Sequence, residues 1–440
     1  MRLQVKHIII VGLALFALYF GAGNLMFPPT VGQAAGTNWP IALIGFSITG
    51  IVLPLLAVLA VYNTGGTMEK LMRPVGRWFY KPFNTLLMVC IGMCVTMPRM
   101  AATTHELGVA KIIPGTPTVV TIIIYFAIVF YFCLDKSNVI DKIGKWLTPL
   151  LVLALAIIII KGISTPLGAP IDMKQQGTLS SSLLSAYQTG DVGTGILVAP
   201  VFLASILAYG YKGKLSKKVS FWGIGVAGVC LLFVYGGLLY IGATVSNILP
   251  SELSDTERLS SIVDMSLGSF GTYAIAVAII LACLTSTIGV MVIVAEFINE
   301  LTLNKLGYKT WVAIICVICA TIGSLGVAQI VKYTMPIFLA VYPIIIALVL
   351  LGTFHRFVPN DGAYKGTILF TAVVSILDTA GSLGVDVPGI TSFIGNLPLS
   401  SSGFAWVVPA VIGFIVGAIV RKMAGSGDVE PSELPKEELA

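Results

Sequence analysis

The feature of this sequence that most constrains its fold is the repeated alternation of long apolar stretches with short polar connections. A helix needs about 20 mainly apolar residues to cross the hydrocarbon core of a bilayer. Cutting the chain at its charged or turn-rich breaks leaves twelve such stretches: 7–35, 40–62, 82–107, 118–134, 144–162, 179–210, 219–245, 268–298, 310–328, 333–354, 364–384 and 403–422. The sequence therefore predicts an all-α integral membrane protein with twelve transmembrane helices.

The composition excludes the main classes of soluble protein. Apolar residues make up 57% of the chain and charged residues only 10%, whereas an ordinary soluble domain has about 25% charged residues. A surface that faces water cannot be covered by so few charges. A soluble enzyme, a nucleic-acid-binding protein and a disordered scaffold are therefore excluded. The net charge of +6 does not indicate a nucleic-acid partner, because the basic residues lie in short blocks between apolar stretches, where they orient a membrane chain.

The distribution of Lys and Arg predicts the orientation of the chain. With twelve crossings, 20 basic residues fall on the side of the N-terminus and five fall on the opposite side. Because basic residues are retained on the cytoplasmic side, both termini are predicted to be cytoplasmic. The first stretch resembles a signal peptide, but no convincing small-residue cleavage site follows it, so it is predicted to be a retained helix. Residues 1–423 are predicted to form a single polytopic domain, and the Glu- and Pro-rich segment 424–440 a disordered cytoplasmic tail.

The first stretch contains a segment that a regular helix accommodates poorly. Residues 20–29 read Phe-Gly-Ala-Gly-Asn-Leu-Met-Phe-Pro-Pro, in which the glycines weaken a helix and the prolines remove backbone donors. Asn24 adds a polar side chain near the middle of the membrane. Broken helix in a membrane is tolerated only where it is buried in protein or lines a wet cavity, so this segment is a candidate site. The alternative is a helix that simply ends at Pro28.

The sixth stretch contains a second segment of this kind. Residues 187–195 read Tyr-Gln-Thr-Gly-Asp-Val-Gly-Thr-Gly between two apolar arms. An acidic residue at mid-membrane is costly and by default marks an ion, proton or substrate site, which singles out Asp191. The alternative is a structural carboxylate, or one at a helix end that faces water. Interruptions at corresponding positions of two halves of a chain indicate a transporter binding site.

A third polar segment lies in the eighth stretch. Residues 282–289 read Ala-Cys-Leu-Thr-Ser-Thr-Ile-Gly, with three adjacent hydroxyl residues in an otherwise apolar helix. Ala282 and Thr285 are three residues apart, so the carbonyl of one and the hydroxyl of the other lie on one face. Such a set of oxygens suits a partly dehydrated alkali cation. The alternative is that each hydroxyl bonds back to its own helix backbone.

Two charged residues in the third stretch have two interpretations. Arg99 and Glu106 are seven residues apart and therefore share one helix face. They either frame an extracellular vestibule, or Arg99 is an interfacial residue whose charged end reaches the lipid headgroups.

These segments resemble those of a known family. The segment 20–29, the segment 97–108 (Met-Pro-Arg-Met-Ala-Ala-Thr-Thr-His-Glu-Leu-Gly) and the Thr-Ser run of the eighth stretch look like the bacterial branched-chain amino-acid:cation symporters (BrnQ-like). The resemblance runs from the first stretch to the twelfth. That family is similar in architecture to the LeuT-fold carriers. This similarity implies two inverted five-helix repeats (7–162 and 179–354), discontinuous helices one and six, and two further helices within 364–422.

The resemblance also implies the residues of a cation site and a substrate site. The Ala-x-x-Thr-Ser spacing of helix eight, with carbonyls on helix one, implies a sodium site at Ala17, Phe20, Ala282, Thr285 and Ser286. The substrate-binding residues are Gly21, Ala22, Gly23, Asn24, Tyr187, Gln188, Thr189, Gly190 and Asp191. Asn24 and Thr189 match a second LeuT-like sodium site. Asp191 stands where that fold usually has a small residue, which leaves open whether the second charge is sodium, a proton or the substrate ammonium.

A zwitterionic substrate makes specific demands on such a site. Backbone N–H groups where a half-helix begins, near 21–24, can bind its carboxylate. Carbonyls freed near 188–191 can bind its ammonium. An apolar pocket must hold the side chain, and the candidates for its lining are residues 93–97 and Tyr187.

The predicted function is import of leucine, isoleucine and valine across a bacterial plasma membrane, coupled to a sodium gradient by alternating access. One carrier is expected for all three, because one methylene is worth only about 1–3 kcal/mol in an apolar pocket. The expected partners are the amino-acid substrate and the lipid bilayer, with no cofactor besides the coupling ion. The alternatives are proton coupling through Asp191, a passive channel, or a substrate sensor. An enzyme is not expected, since the three histidines are scattered and form no catalytic motif.

Overall fold

The computed structural model describes residues 4–134, 148–385 and 389–425, and within these ranges the chain is helical and contains no β-strand. The α-helices in chain order are α1 Val5–Tyr19, α2 Ala22–Ala35, α3 Trp39–Ser47, α4 Leu53–Asn63, α5 Met68–Met72, α6 Tyr80–Leu86, α7 Met97–Thr103, α8 Ala110–Ile112, α9 Thr118–Cys133, α10 Thr148–Ser164, α11 Thr178–Ser185, α12 Asp191–Ala208, α13 Gly213–Thr244, α14 Asp255–Leu301, α15 Tyr308–Gly323, α16 Val327–Thr353, α17 Asp361–Ser382, α18 Ile390–Gly395 and α19 Val407–Met423.

Several of these helices are joined by turns of a different pitch. Turns of π-helix cover Ile48–Val52, Leu87–Thr96 and Thr104–Val109, so α3 runs on into α4, and α6, α7 and α8 form one long helix. Turns of 3₁₀-helix cover Gly36–Asn38, Ala186–Thr189, His355–Phe357 and Ser400–Ser402.

Six helical segments of the described chain are long and apolar enough to cross a membrane by themselves: Ala22–Asn63, Tyr80–Ile112, Asp191–Ala208, Gly213–Thr244, Ile275–Leu301 and Val327–Thr353. Four shorter apolar helices accompany them. Each of the twelve predicted stretches overlaps an α-helix in its described part, and the number of crossings stays a prediction. The start of the fifth stretch (144–147) and the predicted tail from residue 426 lie outside the described residues.

The chain leaves helical geometry between α1 and α2. Phe20 has a ψ of 104° and Gly21 is extended, with φ −128° and ψ −170°, before α2 begins at Ala22. The Phe20 side chain is fully buried. The segment predicted to be irregular, 20–29, therefore contains an interruption. It lies at the first two residues of the segment, Phe20 and Gly21.

The alternative of a helix that ends at Pro28 is wrong. Pro28 and Pro29 lie inside α2, which continues past both of them. Along this part α2 packs closely against α13: a Cβ at Gly242 would lie 2.1 Å from the Pro29 carbonyl oxygen, and a Cβ at Gly32 would lie 1.8 Å from the Leu239 carbonyl oxygen. Only glycine permits this backbone contact, so the two helices lie in close contact at the prolines.

A second interruption separates α11 from α12. The last turn before it is a 3₁₀-helix that ends at Thr189, and Gly190 then adopts a left-handed conformation with φ 79° and ψ 2°. Glycine takes this conformation without the steric cost that other residues bear. α12 begins at Asp191, so the acidic residue stands at the first position of the new helix.

Candidate functional site

A hydrogen-bonded cluster joins the two interruptions. The Asn24 side-chain amide donates to both carboxylate oxygens of Asp191, at 3.1 and 2.9 Å, and the Tyr235 hydroxyl donates to Asp191 at 2.8 Å. Asn24 and Tyr235 also contact each other. All three side chains are buried, with Asp191 only 1% exposed. A buried carboxylate is tolerated when several donors satisfy it, and here they come from α2 and α13, so the cluster fixes α2, α12 and α13 to one another.

Arg99 lies beside this cluster and holds the end of the other half-helix. Its Nη1 donates to the Gln188 carbonyl at 2.6 Å, and its Nη2 to the Thr189 carbonyl at 3.4 Å. The side chain is 2% exposed, and its guanidinium carbon lies 5.5 Å from the centre of the Phe27 ring. The guanidinium thus occupies two of the carbonyls that were predicted to receive the substrate ammonium.

Both sequence interpretations of Arg99 are wrong. The side chain neither reaches the lipid headgroups nor frames a vestibule with Glu106; it is fully inside the protein, because the carbonyls at the end of the 3₁₀ turn offer it partners there. Glu106 instead accepts a hydrogen bond from the Val327 backbone N–H at 2.8 Å, at the start of α16. Glu106 also lines a cleft of about 480 Å³ between the end of the long helix Tyr80–Ile112 and the start of α14.

The predicted cation-site residues of α14 lie against the end of α1. The Ser286 hydroxyl donates to the Phe20 carbonyl at 2.9 Å. The Thr285 hydroxyl donates to the carbonyl of Ala282 within its own helix, also at 2.9 Å, as the alternative for this segment predicted. Ala17 lies in the last turn of α1, where the helix provides no N–H group to bond the backbone carbonyl, so its oxygen can bind another partner. The five residues therefore come from two adjoining elements, and they present hydroxyl and carbonyl oxygens, which are the ligands that hard cations prefer.

Histidine, cysteine and carboxylate side chains form no group of three that could hold a metal ion among the described residues. The candidate cation site thus rests on neutral oxygens alone. Such a set is unsuited to transition metals, which take imidazole or thiolate ligands.

A small internal cavity adjoins the first interruption, with room for about one water molecule. Its lining comes from the first, third, sixth and eighth of the predicted stretches: Leu18, Tyr19, Gly21, Ala22, Gly23, Asn24, Thr96, Arg99, Met100, Thr189, Thr194 and Val290. Four of the predicted substrate-binding residues, those of 21–24, line it together with Thr189. Of the residues predicted to line the apolar pocket, 93–97 and Tyr187, Thr96 lines this cavity, whereas Met93, Met97 and Tyr187 do not.

The remaining predicted residues of the second interruption have local partners. Tyr187 packs against Tyr342, with ring centres 4.8 Å apart. The Gln188 side-chain amide donates to the sulfur of Met335 at 2.7 Å. The Thr189 hydroxyl donates to the Ala186 carbonyl at 2.9 Å. These side chains stabilise the bend itself, and Gly190 provides its left-handed residue.

Neither the role of Tyr235 nor the inward position of Arg99 was predicted from the sequence. Each had a signal: Arg99 is a charged residue inside a long apolar stretch, and such residues face the protein interior and mark functional sites. Tyr235 is a tyrosine in the middle of a long apolar helix, where its hydroxyl needs a buried partner.

A multi-helix membrane chain whose interrupted helices meet at a buried polar cluster has the architecture of a secondary transporter. The family model described as "Branched-chain amino acid transport protein" matches residues 4–424. The chain is 32% identical over 433 residues to the branched-chain amino acid permease BraB of Bacillus subtilis, which covers 96% of this chain and 97% of that protein. This protein therefore belongs to the branched-chain amino acid transport protein family, and the family predicted from the sequence is confirmed.

Solved structures of other proteins share the fold. MhsT in complex with L-phenylalanine aligns with a TM-score of 0.57 at 16% identity, over 94% of this chain and 98% of that one. A Na+-coupled sialic acid symporter aligns with a TM-score of 0.55 at 15% identity, over 96% and 91% of the two chains. The part of the chain that the structure describes is thus helical with the LeuT fold, and membership of a permease family agrees with the expectation that it is not an enzyme.

Proposed function

We propose that this chain is a secondary active symporter that imports leucine, isoleucine and valine together with sodium by alternating access. The observation that carries the proposal is that the two interruptions meet at the buried contact between Asn24 and Asp191. Broken helix in a membrane is tolerated where it is buried or lines a cavity, and an ionisable residue there by default marks a ligand or ion site. The names of the family and of its relatives support a branched-chain amino acid as that ligand.

We infer that α1 with α2, and α11 with α12, are the discontinuous helices one and six of a twelve-helix LeuT-like arrangement. In this proposal the inverted repeats occupy 7–162 and 179–354, and two extra helices lie within 364–422. The likeness to solved carriers of this fold supports the arrangement. The distribution of basic residues supports cytoplasmic termini in a bacterial plasma membrane, because Lys and Arg are retained on the cytoplasmic side.

Binding of an amino acid requires the walls of the site to move. The cavity beside Gly21 has room for about one water molecule and is much smaller than leucine. Opening must therefore separate elements that are now in contact, and alternating access provides such a movement. The N–H groups at the start of α2 are the proposed carboxylate ligands.

Coupling follows if sodium binds differently to the two open states. We infer that it uses carbonyl oxygens of Ala17, Phe20 and Ala282 and the hydroxyls of Thr285 and Ser286. The hydrogen bond from Ser286 to Phe20 supports this, because it brings α14 and the end of α1 within reach of one ion. An ion held by both elements favours the conformation in which they are adjacent, and so biases the carrier between its states.

Replacing Thr285 and Ser286 together by alanine is expected to raise the sodium concentration needed for half-maximal leucine uptake. Loss of two hydroxyl ligands should shift it about tenfold, which corresponds to roughly 1.4 kcal/mol of cation binding. The measurement is leucine uptake into proteoliposomes as a function of external sodium.

The matched control is the double change Thr321→Ala and Ser324→Ala. Both hydroxyls donate to backbone carbonyls near the end of α15 and are exposed, far from the proposed ion. The control should leave the sodium requirement unchanged. An unchanged requirement in the α14 variant as well would remove the sodium assignment.

The experiment that tests the function as a whole is leucine uptake into proteoliposomes under sodium and proton gradients imposed separately. Accumulation driven by the sodium gradient, with inhibition by both isoleucine and valine, is the expected result. Leucine uptake that neither competitor affects would contradict a common carrier for the three amino acids.

The same experiment distinguishes the alternatives. Burial of Asp191 favours proton coupling as the second candidate, since a carboxylate without a direct cation partner among the described residues is a natural proton carrier. Accumulation driven by the proton gradient alone would support it. A passive channel would equilibrate leucine without accumulating it, and a sensor would bind leucine without moving it.

A further inference from the structure

The Arg99 guanidinium has one nitrogen whose hydrogen-bonding capacity is unused. A guanidinium carries five N–H donors in a rigid planar fork. Nη1 and Nη2 donate to the Gln188 and Thr189 carbonyls, whereas Nε is buried and has no hydrogen-bond partner among the described residues. A buried donor without a partner is costly. The two terminal nitrogens of the side chain are thus bound, and its Nε is a free donor.

This guanidinium lies beside the start of α2. A Cβ at Gly23 would be 3.0 Å from the Arg99 Nη2, and both residues line the same small cavity. The N–H groups of Ala22 and Gly23 are at the first two positions of the helix, where no intrahelical acceptor exists. The N-terminus of a helix also carries a partial positive charge. Two positive groups with unused donors thus adjoin one cavity.

Asp191 does not neutralise this arrangement directly. Its two oxygens accept from Asn24 and Tyr235, and no ion pair joins it to Arg99 in the part of the chain that the structure describes. The Phe27 ring covers the guanidinium at 5.5 Å and keeps it in the cavity wall. What the cavity lacks is an anion with two acceptor oxygens, which a carboxylate provides.

We propose that Arg99 binds the α-carboxylate of the transported amino acid and determines the specificity of the carrier for that group. This inference rests on the proposed function. One carboxylate oxygen would accept from Nε of Arg99 and the other from the N–H groups of Ala22 and Gly23; hydrogen bonds between a guanidinium and a carboxylate are strong and directional. The substrate ammonium would be repelled by the guanidinium at the Gln188 and Thr189 carbonyls, so it is expected to use other acceptors.

The test compares leucine with leucinamide, in which a neutral amide replaces the carboxylate. Binding of each to purified full-length protein is measured by the rise in melting temperature across a concentration series. Wild-type protein should bind leucine at least about tenfold more tightly than leucinamide, as expected for hydrogen bonds to a charged group. Arg99→Gln should reduce the affinity for leucine to that for leucinamide, and Arg99→Lys should restore part of the difference.

The matched control is Arg258→Gln, which removes another buried guanidinium. Arg258 donates to the Thr30 hydroxyl at 2.9 Å and to the Ser251 carbonyl at 3.0 Å, away from the cavity. It should keep the wild-type ratio of the two affinities. A second test variant is Gly23→Ala, which suits a helix but whose added Cβ would lie 3.0 Å from both the Arg99 Nη2 and the Phe27 ring, so the guanidinium or the ring that covers it must shift. It should lower the ratio even if the Arg99 variants do not fold.

Three outcomes overturn the role of Arg99: equal wild-type affinities for leucine and leucinamide, a wild-type ratio in Arg99→Gln, or a wild-type ratio in Gly23→Ala when the Arg99 variants do not fold. Failure of the proposed function looks different. In that case wild-type protein binds none of leucine, isoleucine and valine, or binds leucine and does not accumulate it under either gradient.

Discussion

Replacing Asp191 with asparagine is expected to reduce leucine uptake about 10- to 100-fold, because a buried donor left without an acceptor costs roughly 1–3 kcal/mol in the cluster that joins the two interruptions. The substituted amide would present an NH2 group to the donors of Asn24 or Tyr235, which now donate to the carboxylate. It would also remove the negative charge nearest to Arg99. The measurement is the initial rate of leucine uptake, normalised to the amount of protein in the membrane.

The control for this change is Asp361→Asn, the same chemical substitution at the start of α17. Asp361 pairs with Lys365 and Arg421 at 2.6 Å, with all three side chains partly exposed, and exposed ion pairs contribute little to stability. Uptake should be close to that of wild type. Asn24→Leu, which removes the other half of the central contact, should also reduce uptake. Full activity in both Asp191→Asn and Asn24→Leu would show that the site is elsewhere.

Replacing Gly242 with alanine is expected to destabilise the protein by at least about 1–3 kcal/mol, the usual cost of overpacking a closely packed contact. The added Cβ would lie 2.1 Å from the Pro29 carbonyl oxygen and 2.6 Å from the Pro29 Cα. These are backbone atoms and cannot rotate away, so α2 must move from α13. The melting temperature in detergent should fall by several degrees, and uptake should fall with it, because α2 carries the residues from Ala22 to Asn24.

Gly225→Ala is the matched control, since it makes the same change in the same helix. No atom lies within 4 Å of a Cβ built at Gly225. Alanine is a better helix former than glycine by about 1 kcal/mol, so this variant should melt at or slightly above the wild-type temperature. Equal melting temperatures for the two variants would mean that the contact between α2 and α13 is looser than the distances indicate.

The positions of both interruptions could be predicted from the sequence with useful accuracy. Glycines, prolines and polar residues inside apolar stretches identified 20–29 and 187–195, and the chain leaves helical geometry at Gly21 and Gly190. The error lay in the weight given to the prolines. Pro28 and Pro29 remain inside α2, which packs closely against α13 at that point, and a neighbouring helix cannot be read from a local segment.

The composition of the central cluster could be predicted only in part. Asn24 and Asp191 were both singled out as unusual polar residues, but their contact joins positions 167 residues apart. Arg99 was assigned to the membrane surface or to a vestibule because a long side chain can reach either place from one helix position. Its actual partner, the Gln188 carbonyl, is 89 residues away in sequence. Likewise, the Ser286 hydroxyl donates to the Phe20 carbonyl of a distant segment, whereas the Thr285 hydroxyl donates to a carbonyl of its own helix.

The sequence by itself determined that this protein lies in a membrane, that its helices are interrupted in the first and sixth stretches, and which family it resembles. Hydropathy and the backbone preferences of glycine are properties of short segments, so they can be read without knowing what each segment touches. Only the tertiary structure decided that Arg99 faces the interior, that Tyr235 completes the cluster around Asp191, and which hydroxyl of α14 meets α1. A buried polar group takes whichever partner the packing of distant helices brings within about 3 Å, and that distance is decided by the whole fold.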